Sequence, residues 1–281
     1  MTDANPPRIK RVVLCADDFA VHGPASHGIV RLAAMGRLSA TSAMVLSPRW
    51  PQDVALLHEL RGQMDVGLHL DWTSDFALDA GHGVSLGSAM IKGLLGGFDR
   101  KLARTVIERQ LDAFESQWKA SPDFVDGHQH VHQFAGIRVA LVQVLRTRYG
   151  GTGPYLRLSR APAGRADLKS RIVAVMGAGA LEFIAKRAHL TVACALSGMY
   201  NFAGNQAQYA QRMRGWLQAA PEGSIIMCHP AQSQHDMDAI GAARVREYEY
   251  LGSPEFGDAL AAAGVALARF SDTRTGRAGH E

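Results

Sequence analysis

Three histidines stand at alternate positions in one short stretch of the chain. The run Phe124-Val-Asp-Gly-His-Gln-His-Val-His132 contains His128, His130 and His132, with Asp126 at the same parity. In an extended chain these four side chains would point to one side. Neutral imidazole is the commonest metal ligand in proteins, but three in a row on an extended chain hardly converge on one ion. We therefore expect one or two of them to bind a metal while the others support the ligands or contact substrate. The alternative is a polar loop of solvated histidines.

Two adjacent carboxylates, Asp17 and Asp18, follow the apolar run Val12-Val-Leu-Cys-Ala16. Neighbouring carboxylates repel each other, so keeping both ionised in a pocket needs a cation between or near them. A divalent metal would meet that need, with one Asp as its ligand and the other free to take a proton. The alternative is a helix N-cap, because Asp is a good capping residue and a helix is predicted to follow.

Three further polar side chains lie at predicted strand ends. In Val66-Gly-Leu-His-Leu70 the alternation turns His69 away from the apolar face, where it is either a metal ligand or a core histidine bonded to a carbonyl. His229 precedes Pro230, which stops a strand, and an imidazole at that rim suits a general acid near neutral pH. Arg157 is a candidate for orienting a carboxylate or binding substrate, or for an ordinary surface ion pair.

Several other classes of protein are disfavoured. The chain has no P-loop, no G-x-S-x-G and no G-x-G-x-x-G after a strand, which argues against nucleotide binding and serine hydrolysis. The formal net charge of +4 is spread thinly, so we expect no nucleic-acid partner. Cys15, Cys194 and Cys228 form no C-x-x-C pair, and the parity of Cys228 opposite His229 predicts that its thiol points into packing. With no apolar leader and no membrane span in the sequence, we expect a cytoplasmic protein.

The elements that position these residues alternate between short apolar strands and longer helices. A chain of 281 residues with 47% apolar content fits one α/β domain over residues 1–281, with its core at about 11–270. Seven or eight strands fit a (β/α) barrel or a doubly wound sheet; polar clusters at so many strand ends favour the barrel, where chemistry lies at the C-terminal ends of the strands. The predicted strands are residues 11–16, 39–46, 65–70, 123–127, 154–158, 191–196, 224–228 and 265–270. The predicted helices are residues 25–35, 51–61, 100–118, 137–148, 168–176, 181–188, 207–219 and 254–263.

The helix at residues 100–118 has the clearest pattern. Its predicted apolar face comprises Leu102, Val106, Leu111, Phe114 and Trp118. The Gly-rich residues 71–98 are interpreted either as a partly helical lid over the site or as a flexible surface insertion. Residues 1–7 and 273–281 are predicted to be disordered tails.

Four motifs together resemble the YdjC-like family of carbohydrate deacetylases, which includes chitooligosaccharide and hopanoid-associated deacetylases. They occur in the family's order and spacing and span most of the chain. Two positions depart from the family: Ala20 stands where a glycine is usual, and residues 21–27 lack the usual asparagine. Both line the entrance to the site, which leaves the identity of the sugar open. The motifs are Ala16-Asp-Asp-Phe19, Val66-Gly-Leu-His-Leu70, Val125-Asp-Gly-His-Gln-His-Val-His132 and Cys228-His-Pro230.

The resemblance implies a barrel-like deacetylase that hydrolyses the N-acetyl group of an amino sugar or oligosaccharide. It places one divalent metal, Zn or Mg, on Asp18, His69 and His128, and it makes Asp17 the base. Arg157 corresponds to an arginine of the family's fifth-strand motif.

In the mechanism that we expect, a metal-activated water attacks the amide and Asp17 takes its proton. His229 or His132 then protonates the departing amine. The sequence alone does not separate the roles of Asp17 and Asp18. One alternative is a metal-dependent phosphoesterase or amidohydrolase on a similar barrel, and another is a catalytically silent sugar-binding relative. A homodimer is expected only from the family.

Overall fold

The computed structural model describes residues 9–162, 176–193 and 195–275. Strands and helices alternate along these ranges, as the sequence pattern predicts. The strands are β1 Lys10–Phe19, β2 Ala40–Ala43, β3 Asp65–Leu70, β4 Phe124–Gly127, β5 Tyr155–Arg157, β6 Val192–Ala193, β7 Leu196–Ser197, β8 Ile225–Cys228 and β9 Val265–Leu267. The α-helices are α1 Gly23–Ala34, α2 Trp50–His58, α3 Asp75–Asp79, α4 Leu86–Leu95, α5 Arg100–Trp118, α6 Ile137–Tyr149, α7 Ala178–Arg187, α8 Gln206–Ala219, α9 Gly241–Leu251, α10 Pro254–Ala262 and α11 Phe270–Thr275.

The strands form a parallel, nearly closed barrel. Eight of them lie in the order β6-β5-β4-β3-β2-β1-β8-β7, and β9 pairs with β1 outside this row. Strands β6 and β7 are only two residues apart in the chain yet occupy the two ends of the row, which brings those ends together. The barrel is therefore confirmed over the doubly wound sheet.

Alternation along the strands divides the core into two layers. On β1, Val12 and Leu14 pack in the large cluster with the surrounding helices, whereas Val13 and Cys15 face the barrel interior. The interior layer also contains the stacked rings of Phe124 and Tyr155. Interior-facing residues therefore follow one parity on each strand, and the same parity leads upward to the C-terminal ends.

Some elements differ from the sequence-based prediction. Helix α5 has the predicted bounds, but Leu102 is 57% exposed, because the buried face of the helix runs through Ala103 and Ile107 and leaves Leu102 at its edge. The strand predicted to reach residue 270 ends at Leu267, and α11 extends three residues into the predicted C-terminal tail. The predicted helix at residues 168–176 falls almost wholly outside the described residues, as do residues 1–7 and 276–281.

Helix α9 was missed by the sequence analysis. It buries two charged side chains, Arg244 and Glu247, on the face that meets the barrel. A helix whose inner face is polar has weak hydrophobic periodicity, so the usual pattern does not reveal it.

Residues 71–98 contain two helices, α3 and α4, as the partly helical interpretation predicts. Trp72 and Ala89 anchor the segment in the core, while Ile91 and Leu95 are exposed. Whether the segment closes over the site stays a prediction. Within the described ranges, no helix combines the length and the apolar character needed to cross a bilayer.

Candidate metal and catalytic site

Polar side chains from five strands, and one from the residue after a sixth strand, meet at the C-terminal end of the barrel. Each of these residues lies two positions after another inward-facing residue of its strand. The alternation that places apolar side chains lower in the barrel therefore places these polar ones at its C-terminal end, which we call the mouth. His69 and Asp126 are direct neighbours across β3 and β4. The set is Asp17 on β1, Ser42 on β2, His69 on β3, Asp126 on β4, Arg157 on β5 and His229 immediately after β8.

A backbone irregularity brings Asp17 and Asp18 to the same site. Consecutive side chains of a regular strand point to opposite faces. Here Asp18 has a left-handed φ of 65°, and the pairing of β1 with β2 shifts register between Ala16 and Phe19. Ala20 is also left-handed, at φ 70°, a conformation that glycine adopts without steric cost and that an alanine adopts only with strain.

Asp18, His69 and His128 form a compact set of possible metal ligands. Asp18 Oδ1 lies 3.3 Å from His69 Nε2 and 3.1 Å from His128 Nδ1, and one donor atom from each residue lies within 4.8 Å of the others. Two atoms that are each about 2.1 Å from one ion lie roughly 3.0–3.4 Å apart. One carboxylate and two imidazoles at this spacing therefore fit a divalent cation.

The far side of the His69 ring is held by a carboxylate. His69 Nδ1 lies 2.6 Å from Asp126 Oδ1 and 3.1 Å from the Ser42 hydroxyl, so Nε2 is the nitrogen turned towards Asp18. Burial lowers the pKa of His69, but Asp126 and Asp18 outweigh it and raise the pKa to about 10. A histidine oriented by a carboxylate is a common arrangement behind a metal ligand.

A second acidic group, formed by Asp17, His69 and Asp126, is less suited to a cation. Arg157 donates to both oxygens of Asp17, at 2.6 and 2.7 Å, and its Nη2 lies 2.6 Å from Asp126 Oδ2. The guanidinium thus already contacts both carboxylates, and its positive charge opposes a metal ion at this point.

The same contacts set the charge on Asp17. Burial would raise the pKa of Asp17, but the adjacent Arg157 holds it well below the ordinary value, so Asp17 is ionised at neutral pH. Arg157 is fully buried, which contradicts the surface ion pair, and its guanidinium holds the Asp17 carboxylate through two hydrogen bonds.

His229 lies on the other side of Asp17. Its Nε2 is 4.0 Å from Asp17 Oδ2, its backbone N–H donates to Glu247 at 2.6 Å, and the Phe202 ring meets it edge-on. Burial lowers the pKa of His229, so the neutral imidazole dominates at pH 7.

Asp18 has a partner that the sequence analysis did not identify. Arg244 on α9 donates from Nη2 to Asp18 Oδ2 at 2.7 Å and from Nε to Asp238 at 2.6 Å. Burial would raise the pKa of Asp18, but Arg244 and His128 lower it well below the ordinary value. The two neighbouring carboxylates thus each face their own buried guanidinium.

The YdjC-like protein family model matches residues 11–262. The chain belongs to the YdjC-like family. Its relatives include a chitooligosaccharide deacetylase of Enterobacter sp., 24% identical over 94% of this chain and 99% of that protein. A human carbohydrate deacetylase is 26% identical over 98% of this chain and 94% of its own length.

Solved structures show the same fold. A candidate cellobiose-phosphate cleavage protein of Enterococcus faecalis has a TM-score of 0.71 at 18% identity and covers 94% of this chain and 99% of its own. A T48 deacetylase with substrate has a TM-score of 0.51 at 12% identity and covers 95% and 92%. At these identities the likeness concerns the fold alone.

Residues 126–132 do not form the extended row in which all four side chains would point to one side. Strand β4 ends at Gly127, and His128–Gln133 form a 3₁₀ helix in which Gln129 and His130 have positive φ. As a result His128 turns to Asp18, whereas His130 lies 2.8 Å from the Ser159 hydroxyl. The structure brings the family's three metal-site candidates together and separates the other two histidines from them.

His132 is also separated from the chemistry. Its Nε2 lies 2.9 Å from the carbonyl oxygen of Arg157, and the side chain is fully buried. It therefore supports the residue that orients Asp17 and is unsuited to protonating a leaving group. Cys228 is buried, as predicted, and burial raises the pKa of its thiol well above the ordinary value; Cys194 lies outside the described residues.

Proposed function

We propose that this chain is a divalent-metal-dependent hydrolase that removes an N-acetyl group from an amino sugar or oligosaccharide. The observation that carries the proposal is the convergence of Asp18, His69 and His128 within 4.8 Å, with the ionised Asp17 beside them, in a member of the YdjC-like family. The names of the relatives, carbohydrate and chitooligosaccharide deacetylase, support the choice of substrate class.

Asp18, His69 and His128 would hold the cation. A divalent ion at this position supplies Lewis acidity towards the acetyl carbonyl and the attacking water. Zinc suits a set with two imidazoles better than magnesium, which prefers oxygen ligands.

Asp17 and His229 would move the protons. Asp17 is ionised and its orientation is fixed by two hydrogen bonds from Arg157, so its carboxylate is placed to accept the water's proton. His229 Nε2, 4.0 Å away, is placed to receive a proton from this side and donate it to the departing amine. Because Asp18 Oδ1 lies 3.3 and 3.1 Å from the two imidazoles, whereas both oxygens of Asp17 accept from Arg157, Asp17 is the better base and Asp18 the better ligand.

The test is acetate release from a panel of acetylated amino sugars and chitooligosaccharides, with and without a chelator. We expect acetate only with metal present and recovery when zinc or cobalt is restored. Phosphate release from phosphorylated sugars, without acetate release, would favour the phosphoesterase alternative. Metal binding without turnover of the whole panel would favour a silent sugar-binding relative.

The Asp17→Asn variant tests the base. It keeps the shape of the side chain, so we expect metal binding to persist while turnover falls by at least about 100-fold, the usual contribution of a general base. Asp258→Asn, an exposed substitution on α10, is the matched control and should keep full turnover. Wild-type turnover in Asp17→Asn would reject the base assignment. Homodimerisation and a cytoplasmic location stay predictions.

A further inference from the structure

We propose that Arg244 is a positioning residue that fixes the orientation of Asp18 for the metal, and that Asp238 and His22 in turn fix Arg244. The inference rests on the proposed function, because it concerns how one ligand of the proposed cation is held. It adds three residues to the site, two of them from loops that the family motifs do not include.

Arg244 connects the metal site to the neighbouring loop through two hydrogen bonds. Its Nη2 donates to Asp18 Oδ2 at 2.7 Å and its Nε donates to Asp238 Oδ2 at 2.6 Å. The side chain is only 4% exposed, so solvent scarcely competes for these bonds. Charge-assisted hydrogen bonds in such surroundings are strong and directional.

The contact with Asp18 assigns a different task to each carboxylate oxygen. Oδ2 is occupied by Arg244, and Oδ1 is left facing His69 and His128 at 3.3 and 3.1 Å. Without the guanidinium, the carboxylate is free to rotate about its last torsion angle, which is broad for Asp. Arg244 therefore selects one oxygen as the metal ligand and preorganises the donor set.

Arg244 is itself held from the entrance side. His22 is the N-cap of α1: its Nδ1 accepts the backbone N–H of Ala25 at 3.1 Å, so the proton of a neutral ring is on Nε2. That Nε2–H donates to Asp238 Oδ2 at 3.0 Å, the oxygen that also accepts from Arg244. The 21–27 segment that departs from the family pattern thus supplies a residue of this network.

One further feature favours function over stability as the role of Arg244. Its Nη1 is buried and has no hydrogen-bond partner among the described residues. A buried, unpaired donor costs on the order of 1–3 kcal/mol. A guanidinium retained despite that cost is better explained by what it holds in place than by the stability it adds.

The experiment is a zinc titration of the metal-free protein by isothermal calorimetry, which does not depend on turnover. Arg244→Lys keeps the charge but cannot reach both carboxylates in the fork geometry of arginine. We expect its zinc affinity to fall about 10–100-fold, as is typical for residues behind a ligand, and Asp238→Asn to show a smaller fall in the same direction. The cobalt-loaded variants should also have an altered visible absorption spectrum, which a purely structural role would not produce.

Arg246→Lys, on the same helix, and Asp236→Asn, in the exposed part of the same loop, are the matched controls and should bind zinc like the wild type. If Arg244→Lys does not fold, Asp238→Asn still decides the question. Wild-type zinc affinity and cobalt spectrum in a folded variant would overturn this inference while leaving the proposed function intact. A wild-type protein that binds no metal would overturn both.

Discussion

The two ends of the barrel interior differ in their side chains: charged groups fill the C-terminal end and aromatic rings the N-terminal end. At the C-terminal end, Asp17 and Asp126 are buried together, and the buried guanidinium of Arg157 contacts both carboxylates. At the N-terminal end, directly below, the Phe124 ring stacks on Tyr155 and the Phe270 ring packs tilted against it, with centroids 5.1 and 4.4 Å apart. On β5, Tyr155 and Arg157 are two residues apart and face the same interior, so a single step along one strand leads from one environment to the other.

The two ends therefore contribute differently: the N-terminal end stabilises the fold, and the C-terminal end positions the residues of the site. The three rings at the N-terminal end form an aromatic plug, whose apolar burial stabilises the fold. Burying paired charges, by contrast, is close to neutral for stability at best, and it becomes destabilising when one partner is lost. The charged groups at the mouth of the barrel therefore add little to stability, and their role is to position the residues of the site. Substitutions at the bottom should change stability alone, and those at the mouth should change both stability and activity.

The largest effect is expected from Arg157→Met. It would leave Asp17 and Asp126 buried without their counter-charge, so we expect the free energy of unfolding to fall by about 3–5 kcal/mol. Turnover should fall by at least about 100-fold, because Asp17 loses its orientation. Urea denaturation and acetate release measure the two effects. Arg160→Met, an exposed arginine paired with Glu182, should change stability by less than about 0.5 kcal/mol. Equal effects at both positions would contradict the distinction between mouth and surface.

The second prediction concerns pH. Burial, partly offset by Asp126, lowers the pKa of His132 from 6.5 to about 4. On acidification the unfolded chain therefore binds a proton at His132 near pH 6.5, whereas the folded protein does so only near pH 4. The stability that this residue contributes above pH 6.5 is lost as the pH falls towards 4. Between pH 7 and 4.5 the titration of His132 should lower the free energy of unfolding by roughly 2–3 kcal/mol. Urea denaturation of His132→Gln and the wild type at both pH values measures the difference, which should shrink in the variant.

Asp123, at the N-terminal end of the barrel, should change stability with pH in the opposite direction to His132. Burial raises its pKa to about 6, so the folded protein binds this proton more readily than the unfolded chain does. Its contribution becomes more favourable as the pH falls from about 6 to 3.8. Asp123→Asn should therefore steepen the loss of stability in acid, whereas His132→Gln should reduce it. The same change of slope in both variants would show that the two ends do not differ in this way.

The smallest effect is expected from Phe270→Ala. The ring is half-buried and packs on Tyr155 at the bottom of the barrel, so its removal should cost about 1–2 kcal/mol. Zinc affinity and turnover per folded molecule should stay unchanged, because the site lies at the other end. Phe183→Ala, a phenylalanine that is 61% exposed, is the control and should cost less than about 0.5 kcal/mol. Loss of activity in folded Phe270→Ala would show that the plug also shapes the site.

Local patterns in the sequence were enough to predict the repeated strand–helix units and the position of most candidate site residues along them. His69 shows why: the two-residue period of a strand fixes which face it occupies, and its place near the end of β3 fixes its height in the barrel. Both quantities are local, so they can be obtained from one segment without knowledge of the rest. The same local signal identified Asp17 and His229.

The three-dimensional fold was needed to show which of these residues meet and what holds them. His128, His130 and His132 look equivalent in the sequence, but positive φ at Gln129 and His130 sends them to three different partners. Arg244 lies 226 residues from Asp18 and on a helix without a clear apolar pattern, so no local signal connects them. A long-range contact between two charged groups depends on how the whole chain closes around the barrel, and that information is not contained in the spacing of either segment.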